Sequence, residues 1–340
     1  MDISMANIKL DLSENIFGFS DVIRETLKKE IQLINLYPDT KCTELTEAIS
    51  KYFGVAPGQI SIGNGLDEII LSVAISKKYK SVLIPEHCFM GYFYSSEIAG
   101  SEIHLLQLEN YKVPLEKMYG ELDNVNAIYL CNPQNPFGTV LKYDEIEDLI
   151  RRCEEKNVDL ILDEAYMDFA EGDGVSSALK LINKYKNLYV LRTFSKAYSL
   201  AGLRCGFLVS AEENIADLAE VKKALPFNVN RLAQKAACCA LSDDSWVKKN
   251  VETCRHNRDL FMKKLKANDI FFVESKTNFV TIYIENADEV CQSLCSDYHI
   301  MVKNLRSMGL ENYLRIGIGT EEQMDHVISV ISGIRNKGEK

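Results

Sequence analysis

The chain has 340 residues, of which 46% are hydrophobic, and its formal net charge is −10. This length and composition predict two domains, or one large and one small. The acidic balance, without any basic stripe, argues against nucleic acid or an anionic membrane as a partner. No apolar run approaches the roughly 20 residues of a spanning helix. The segment from Met1 to Leu10 lacks the apolar stretch of a secretion signal.

The spacing of the cysteines and histidines indicates whether the thiols are reduced and whether a metal site is present. The ten cysteines form no Cys-x-x-Cys pairs, and several, such as Cys131, Cys238 and Cys239, lie in apolar strings. Without a secretion signal, this pattern predicts reduced core thiols in a cytoplasmic protein. The five histidines show no metal-ligand spacing, so we expect no metal site.

Short apolar runs bounded by turn residues predict the strands of one sheet. These runs are Gln59–Gly63, Ser81–Pro85, Ile103–Leu108, Asn126–Cys131, Val158–Asp163, Asn187–Arg192 and Gly206–Ser210. Segments with helical spacing lie between most of them, such as the one that carries Ile69, Ile70, Val73 and Ala74. This alternation predicts an α/β fold, in which helices flank a mostly parallel sheet.

The pattern changes after about Leu225. Two long helical stretches, Val229–Ser242 and Val247–Ala267, precede strand-like runs at Phe271–Phe272, Phe279–Ile284 and Tyr313–Ile318. This order predicts a smaller α+β domain. We therefore expect a large domain over residues 37–225 and a small domain over residues 226–340. Residues 1–36 are expected to pack on the small domain or over the active site.

The segment from Thr193 to Gly206 predicts chemistry most directly. Lys196 lies among hydroxyls and small residues, and Arg204 follows eight positions later. Thr193, Ser195 and Arg204 suit a phosphate dianion held beside an imine that Lys196 forms with a cofactor aldehyde. This pattern is typical of an enzyme that uses pyridoxal 5′-phosphate (PLP). The alternative is a helix start with a solvated lysine.

Two loops contribute polar groups where strands are predicted to end. Gly63–Glu68 is a glycine-rich turn before a helix and offers free amides to a phosphate. An ordinary helix-capping turn explains that segment equally well. In Asn132–Thr139, two prolines and a glycine fix an irregular loop that can hold the Asn135 amide toward a ligand oxygen. The alternative is a plain turn, which needs fewer such special residues.

A carboxylate and an arginine complete the set of candidate residues. Asp163 ends a buried strand, where it could pair with a protonated pyridine nitrogen, and Tyr166 could hydrogen-bond the ring's phenolic oxygen. The alternative is a helix cap followed by a core tyrosine. Arg315 lies within an apolar strand, where it needs an anion. A substrate carboxylate or phosphate fits this need, and so does an Asp or Glu of the fold.

In their order and types, these segments resemble the class I and II aminotransferases, PLP enzymes of fold type I, over nearly the whole chain. Within that class, the chain most resembles the histidinol-phosphate aminotransferase branch. Lys9–Asn15 and Tyr37–Asp39 also match this family.

The resemblance implies a role for each matching residue. Lys196 would bind the cofactor covalently and move the substrate proton, and Asp163 would pair with the ring nitrogen. Four groups of further positions are implied: Asn135 and Tyr166 for the ring oxygen; Phe89 for the ring face; Leu66, Asp67, Thr193, Ser195, Arg204 and the other subunit's Tyr37 for the phosphate; and Arg315, Lys303 and Asn15 for the substrate. Tyr37 could act in this way only in a homodimer.

The chain departs from the family pattern at three positions. Ile16 stands where proline is usual, and Leu66 stands where serine or alanine is usual. Lys303 replaces an arginine of the branch, which keeps the charge but loses the bidentate fork. These changes leave the expected cofactor binding intact. They count against a phosphorylated substrate.

The resemblance implies transamination between a small amino donor and a 2-oxo acid, with histidinol phosphate and 2-oxoglutarate as the specific expectation and histidine biosynthesis as the setting. Two alternatives keep the cofactor. One is decarboxylation of a phosphorylated amino acid such as threonine phosphate, and the other is transamination or oxidation of a specialised amino acid. A non-catalytic protein that keeps the fold is a third alternative, although every catalytic position is present.

Overall fold

The computed structural model describes residues 8–338, which form 13 strands and 12 α-helices. The strands are β1 (Ile8–Lys9), β2 (Ile60–Gly63), β3 (Ser81–Pro85), β4 (Glu102–Leu106), β5 (Ala127–Cys131), β6 (Asp159–Asp163), β7 (Leu188–Thr193), β8 (Gly206–Val209), β9 (Phe272–Val273), β10 (Phe279–Tyr283), β11 (Ile300–Met301), β12 (Lys303–Asn304) and β13 (Tyr313–Gly317). The helices are α1 (Asp21–Glu30), α2 (Thr43–Phe53), α3 (Gly65–Lys77), α4 (Met90–Ala99), α5 (Leu115–Gly120), α6 (Tyr143–Glu155), α7 (Met167–Ala170), α8 (Glu212–Lys222), α9 (Arg231–Ser242), α10 (Asp244–Ala267), α11 (Ala287–Ser296) and α12 (Glu321–Gly338).

Seven strands form the central sheet, in the order β2-β8-β7-β6-β5-β3-β4. The pairs β2–β8 and β8–β7 are antiparallel, and the other pairs are parallel. Strands β5 and β7 are buried along their whole length, as the continuous apolar runs predict for strands covered on both faces. Helix α6 shows how a flanking helix packs, because it buries Ile146, Leu149, Ile150 and Cys153 at helical spacing.

The parallel register places three strand ends at one edge of the sheet. Cys131 of β5 lies opposite Asp163 of β6, and Asp163 lies opposite Leu191 near the end of β7. The loops that follow these strands therefore emerge side by side. Ligands of open α/β folds bind at this carboxyl edge.

A second, four-stranded sheet has the order β12-β13-β10-β9 and is antiparallel throughout. Its register sets Lys303 and Thr281 opposite Arg315 on the two neighbouring strands. Directly opposed residues project from the same face of a sheet. Lys303 and Arg315 therefore form a cationic cross-strand pair.

The N-terminal segment forms a third, two-stranded sheet, β1-β11, and also contacts the second sheet. Ile8 and Lys9 of β1 pair in parallel with Ile300 and Met301 of β11. The Gly317 amide donates a hydrogen bond of 2.8 Å to the Leu10 carbonyl, which continues this contact along β13. Residues 1–7 of the predicted N-terminal segment lie outside the described residues, and the division of the chain into domains stays a prediction.

The predicted α/β fold is confirmed, since each of the seven apolar runs contains or overlaps a strand of the central sheet. The described part of the chain contains no helix that is both long and apolar enough to cross a membrane. Nor do residues 8–338 bring together three or more His, Cys, Asp or Glu side chains able to hold a metal ion. The ten cysteines are free thiols.

Candidate active site

Lys196 lies in the loop after β7 and is held by the N-terminal segment. Its Nζ donates hydrogen bonds to the carbonyl oxygens of Leu12 at 2.9 Å and Ser13 at 3.4 Å. The same segment contacts the lysine loop a second time, because Asn15 Nδ2 donates to the Ala197 carbonyl at 3.2 Å. The amine of Lys196 is thus hydrogen-bonded to backbone carbonyls, which carry no negative charge to pair with it.

The electrostatic surroundings of Lys196 favour its neutral form. Burial, followed by the positive charge of Arg315, lowers the pKa of Lys196 to about 8, and the negative charges of Glu14 and Asp163 oppose this shift. A lysine must be neutral to attack an aldehyde. At neutral pH, Lys196 is thus much closer to its nucleophilic form than an exposed lysine.

Asp163 ends β6 and is only 4% exposed. Its Oδ2 accepts a hydrogen bond of 2.6 Å from Tyr92 Oη, and its Oδ1 accepts one of 2.9 Å from the Ala165 amide. Burial raises the pKa of Asp163, whereas these two hydrogen bonds and the charge of Lys196 lower it. A buried carboxylate held from two sides suits a cationic ring nitrogen.

Asn135 and Arg315 are joined directly, although 180 residues separate them in sequence. Arg315 Nη1 donates to Asn135 Oδ1 at 2.6 Å, and Arg315 Nη2 donates to the Asp11 carbonyl at 3.1 Å. Because Asn135 uses its oxygen on Arg315, its Nδ2 is the group that remains to donate to a ligand. Arg315 forms no ion pair with a carboxylate of the described residues, and its buried Nε has no partner among them. The charge of Asp11 nevertheless acts on Arg315, so the alternative of an Asp or Glu partner stays open.

The loop that carries Asn135 is fixed between the two sheets. Thr281 Oγ1 donates to the Pro136 carbonyl, and the Lys276 amide donates to the Gly138 carbonyl at 2.9 Å. Gly138 has φ = +81°, and a Cβ there would collide with Ser275. Only glycine combines this backbone conformation with such close approach. The loop is thus as rigid as its prolines and glycine predict.

Two aromatic residues lie beside these polar groups. Tyr166 is buried, and its ring packs edge-on against Phe279, with centroids 5.1 Å apart. Lys196 Nζ lies 5.4 Å from the Tyr166 ring centroid. Phe89 immediately precedes α4 and is half-buried, and its ring contacts Tyr92 edge-on at 5.6 Å. The predicted ring-face residue is therefore adjacent to the residue that holds Asp163.

The start of α3 and Arg204 form a second cluster of polar groups. Arg204 Nη2 donates to Asp67 Oδ2 at 2.7 Å, and Arg204 Nη1 donates to Ser195 Oγ at 3.4 Å. Gly65 has φ = +80°, and a Cβ there would collide with the Arg204 guanidinium. Asn64 makes no side-chain cap, so the first amides of α3, including those of Leu66 and Asp67, remain available.

Thr193 shapes the turn between β7 and Lys196. Its Oγ1 accepts a hydrogen bond of 3.1 Å from the Ser195 amide and donates one of 3.4 Å to the Cys205 carbonyl. The Ser195 hydroxyl is thereby oriented toward Arg204. The Ser195 hydroxyl, one guanidinium and a helix N-terminus form a donor set that fits a phosphate dianion, and Thr193 holds the turn that carries Ser195. Together with Asp163, Asn135 and Lys196, this set fits PLP.

The remaining predicted residues are Lys303, Asn15 and Tyr37, and none of them bonds to this cluster within the described residues. Lys303 is half-buried opposite Arg315, and its Nζ has no hydrogen-bond or ion-pair partner in residues 8–338. Both side-chain groups of Asn15 bond to backbone, because its Oδ1 also accepts from the Phe17 amide at 3.1 Å. Tyr37 is exposed and contacts Phe227 rather than the phosphate cluster. The roles predicted for all these residues stay predictions.

Tyr92, which is fully buried, is a site residue to which the sequence pattern assigns no role. Its signal is its position three residues after Phe89, which places both residues in the first turn of one helix start. A tyrosine in an apolar helix is also typical of a core residue, so this signal alone does not distinguish the two.

Comparison with known proteins decides the family. The model of the family "Aminotransferase class I and II" matches residues 7–331. The chain belongs to this family. The predicted family and a PLP-dependent transaminase are thereby confirmed.

Relatives and solved structures agree with this assignment. The chain is 35% identical to histidinol-phosphate aminotransferase 2 of Bacillus thuringiensis subsp. konkukian (strain 97-27), over 95% of the chain and 87% of that protein. It is 33% identical to histidinol-phosphate aminotransferase 2 of Haemophilus influenzae (strain 86-028NP), over 98% and 91% of the two chains. Histidinol-phosphate aminotransferase from Sinorhizobium meliloti, solved in complex with pyridoxal-5′-phosphate, shares the fold with a TM-score of 0.89 at 22% identity, covering 97% of this chain and 91% of that one.

Proposed function

We propose that the protein is a histidinol-phosphate aminotransferase, which exchanges an amino group between histidinol phosphate and 2-oxoglutarate. The observation that carries this proposal is the identity of 33–35% to histidinol-phosphate aminotransferases over at least 95% of the chain. The position of Asp163 and Lys196 at the carboxyl edge of the central sheet supports it, and so does the bond of Arg315, from the second sheet, to the Asn135 loop. The proposal places the enzyme in histidine biosynthesis in the cytoplasm.

PLP, when bound, withdraws electrons from the substrate carbon that carries the amino group. Lys196 would hold the cofactor through its aldehyde and carry the proton to and from that carbon, a task that its lowered pKa suits. Asp163 would keep the ring nitrogen protonated. Asn135 Nδ2 and Tyr166 Oη would donate to the ring oxygen, and Phe89 would cover the ring face.

The phosphate would lie against the cluster of Arg204, Thr193 and Ser195, with the amides of Leu66 and Asp67. Asp67 now balances the charge of Arg204 at 2.7 Å. We further propose a homodimer in which Tyr37 reaches the phosphate in the partner's site. Two observations support this proposal. Tyr37 is 73% exposed, and its ring contacts Phe227 rather than the phosphate cluster of its own chain.

The anionic group of the substrate would bind between Arg315 and Lys303, which oppose each other on neighbouring strands. Arg315 is rigid, since its guanidinium already donates to Asn135 and Asp11. Asn15, which contacts the lysine loop, would border the substrate from the N-terminal segment. Two cations suit a phosphate dianion in one half-reaction and a carboxylate in the other.

The decisive experiment measures amino transfer to 2-oxoglutarate from a panel of donors: histidinol phosphate, histidinol, tyrosine, phenylalanine and threonine phosphate. We expect the highest kcat/KM with histidinol phosphate and ping-pong kinetics. The Lys196→Ala variant controls for non-enzymatic transfer. A higher kcat/KM with the aromatic amino acids, or no transfer from any donor, would overturn the proposal.

Two further readouts separate the alternatives that share the cofactor. Carbon dioxide release from threonine phosphate without a 2-oxo acid would assign a decarboxylase. Oxygen consumption with an amino acid alone would assign an oxidase. We expect neither, because the proposed reaction conserves the substrate carbon chain and transfers only the amino group.

A further inference from the structure

Two exposed aromatic rings, Tyr37 and Phe227, stack on each other. Their centroids are 4.1 Å apart and their planes differ by 19°, while Tyr37 is 73% exposed and Phe227 is 46% exposed. Stacking at this distance fixes the direction in which the tyrosine ring points. Within the core, such a pair would need no explanation, but here both rings face outward.

The surroundings of this pair are apolar as well. A cavity of about 530 Å³ is lined by residues 34–38, Phe227 and residues 230–232. Further large apolar side chains are exposed in the same two segments, at Ile31, Leu33, Ile34, Leu36 and Leu225. Contiguous apolar surface of this kind marks an interaction site, which agrees with the homodimer proposed above.

The backbone of the Tyr37 segment is anchored to helix α9. Arg231 Nη1 bonds Glu30 Oε2 at 3.2 Å, and Arg231 Nη2 donates to the Tyr37 carbonyl at 3.5 Å. Gln234 Nε2 donates to the Asp39 carbonyl at 2.9 Å. The main chain of Tyr37 is therefore fixed by α9, and only its side-chain torsions are left for Phe227 to determine.

Within the described residues, no hydrogen bond joins Tyr37 to Arg204, Ser195 or Asp67 of its own chain. We propose that Phe227 is a positioning residue, whose ring holds Tyr37 so that its hydroxyl enters the phosphate site of the partner subunit. The inference rests on the proposed PLP-dependent homodimer. Phe227 acts only through Tyr37 and touches neither cofactor nor substrate.

The test measures the dissociation constant of PLP from apo-protein for the wild type, Tyr37→Phe, Phe227→Ala and the double variant. Tyr37→Phe should weaken binding about tenfold, because it removes one hydrogen bond to a charged phosphate. Phe227→Ala should weaken it by a similar factor, and the double variant should be no weaker than Tyr37→Phe alone. Phe227→Tyr should bind normally, and Phe271→Ala, at an exposed ring elsewhere, is the matched control.

A hybrid dimer tests whether the effect crosses the interface. In a hybrid of Phe227→Ala and Lys196→Ala subunits, the site that keeps Lys196 receives Tyr37 from a subunit with an intact Phe227. We expect this site to bind PLP as tightly as the wild type does. Weak binding in the hybrid would show that Phe227 acts within its own subunit and would overturn the inference.

The outcomes separate this inference from the proposal on which it rests. If Tyr37→Phe weakens PLP binding but Phe227→Ala does not, Phe227 does not position Tyr37. Additive losses in the double variant, or a Phe227→Ala dimer that dissociates in sedimentation experiments, also overturn the inference. If Tyr37→Phe itself has no effect, the proposed role of Tyr37 in the partner's site fails instead.

Discussion

Tyr92 donates a hydrogen bond of 2.6 Å to Asp163, and both side chains are buried. The ring of Tyr92 stacks on Tyr129 of β5, with centroids 5.4 Å apart, so its hydroxyl cannot swing away from the carboxylate. The same helix start carries Phe89 three residues earlier. One turn of chain therefore supplies both the proposed ring-face residue and the group that orients the carboxylate.

Tyr92→Phe should shift the pH dependence of catalysis. The hydrogen bond from Tyr92 lowers the pKa of Asp163, which burial raises, so its loss raises that pKa further. The acidic limb of the kcat/KM profile should then move toward neutral pH, and kcat/KM should fall about tenfold or more. Tyr79→Phe is the matched control, because Tyr79 forms a bond of the same length, 2.6 Å, to Asp159 at the other end of β6. Superimposable profiles for Tyr92→Phe and the wild type would refute the role of Tyr92.

The rate at which apo-protein captures PLP should rise with pH and level off near the pKa of Lys196, about 8, rather than near the ordinary value of 10.5. The rate rises with pH because only the neutral amine is a nucleophile. Arg315→Gln removes a positive charge that lowers this pKa, so the midpoint should move to higher pH. Arg151→Gln, on the surface, should leave it in place. A midpoint near 10.5 in the wild type would contradict the described environment of Lys196.

Lys303→Gln should raise the KM for histidinol phosphate about tenfold with little change in kcat, since it removes a charge-assisted contact to the anion. Lys303→Arg should restore or lower the KM, because the guanidinium adds a bidentate fork. Steady-state kinetics with Lys263→Gln, at an exposed lysine of α10, provide the control. An unchanged KM in Lys303→Gln would remove Lys303 from the substrate site.

Arg192→Met should destabilise the protein strongly. Arg192 and Glu164 are almost fully buried, with Nη1 and Oε2 3.2 Å apart, and Arg192 Nη2 also contacts Asp168 at 2.7 Å. Removing the cation leaves Glu164 as an unpaired buried charge, which costs about 3–5 kcal/mol. The urea midpoint should drop clearly.

Two variants test the cause of this loss. Adding Glu164→Gln to Arg192→Met should recover part of the stability, because the orphaned charge is removed as well. Arg151→Met, which breaks two exposed ion pairs, with Glu155 and Asp148, should cost at most about 1 kcal/mol. A double variant as unstable as the single one would show that the buried charge is not the cause.

The sequence predicted the features that leave a strong pattern. Buried parallel strands appear as continuous apolar runs, and polar residues such as Asp163 and Asn135 stand out where those runs end. The carboxyl edge of the sheet follows from the topology, so the meeting of these residues could be expected. Lys196 and Arg204 were likewise visible from their spacing.

Other contacts leave no such pattern. Leu12 and Ser13 hold Lys196 through backbone carbonyls, which every residue has, so no side chain indicates them. Strands β1, β11 and β12 have two residues each, too few to show any periodicity. The partner of Arg315 could not be predicted either, because the bond to Asn135 depends on how the two sheets face each other.

The most direct test of the account is reduction of the PLP-loaded protein with borohydride, followed by proteolysis and mass spectrometry. We predict a single pyridoxyl adduct, on the peptide that carries Lys196, and no adduct in Lys196→Ala. An adduct on another lysine such as Lys303, or none at all, would contradict the assignment of this site.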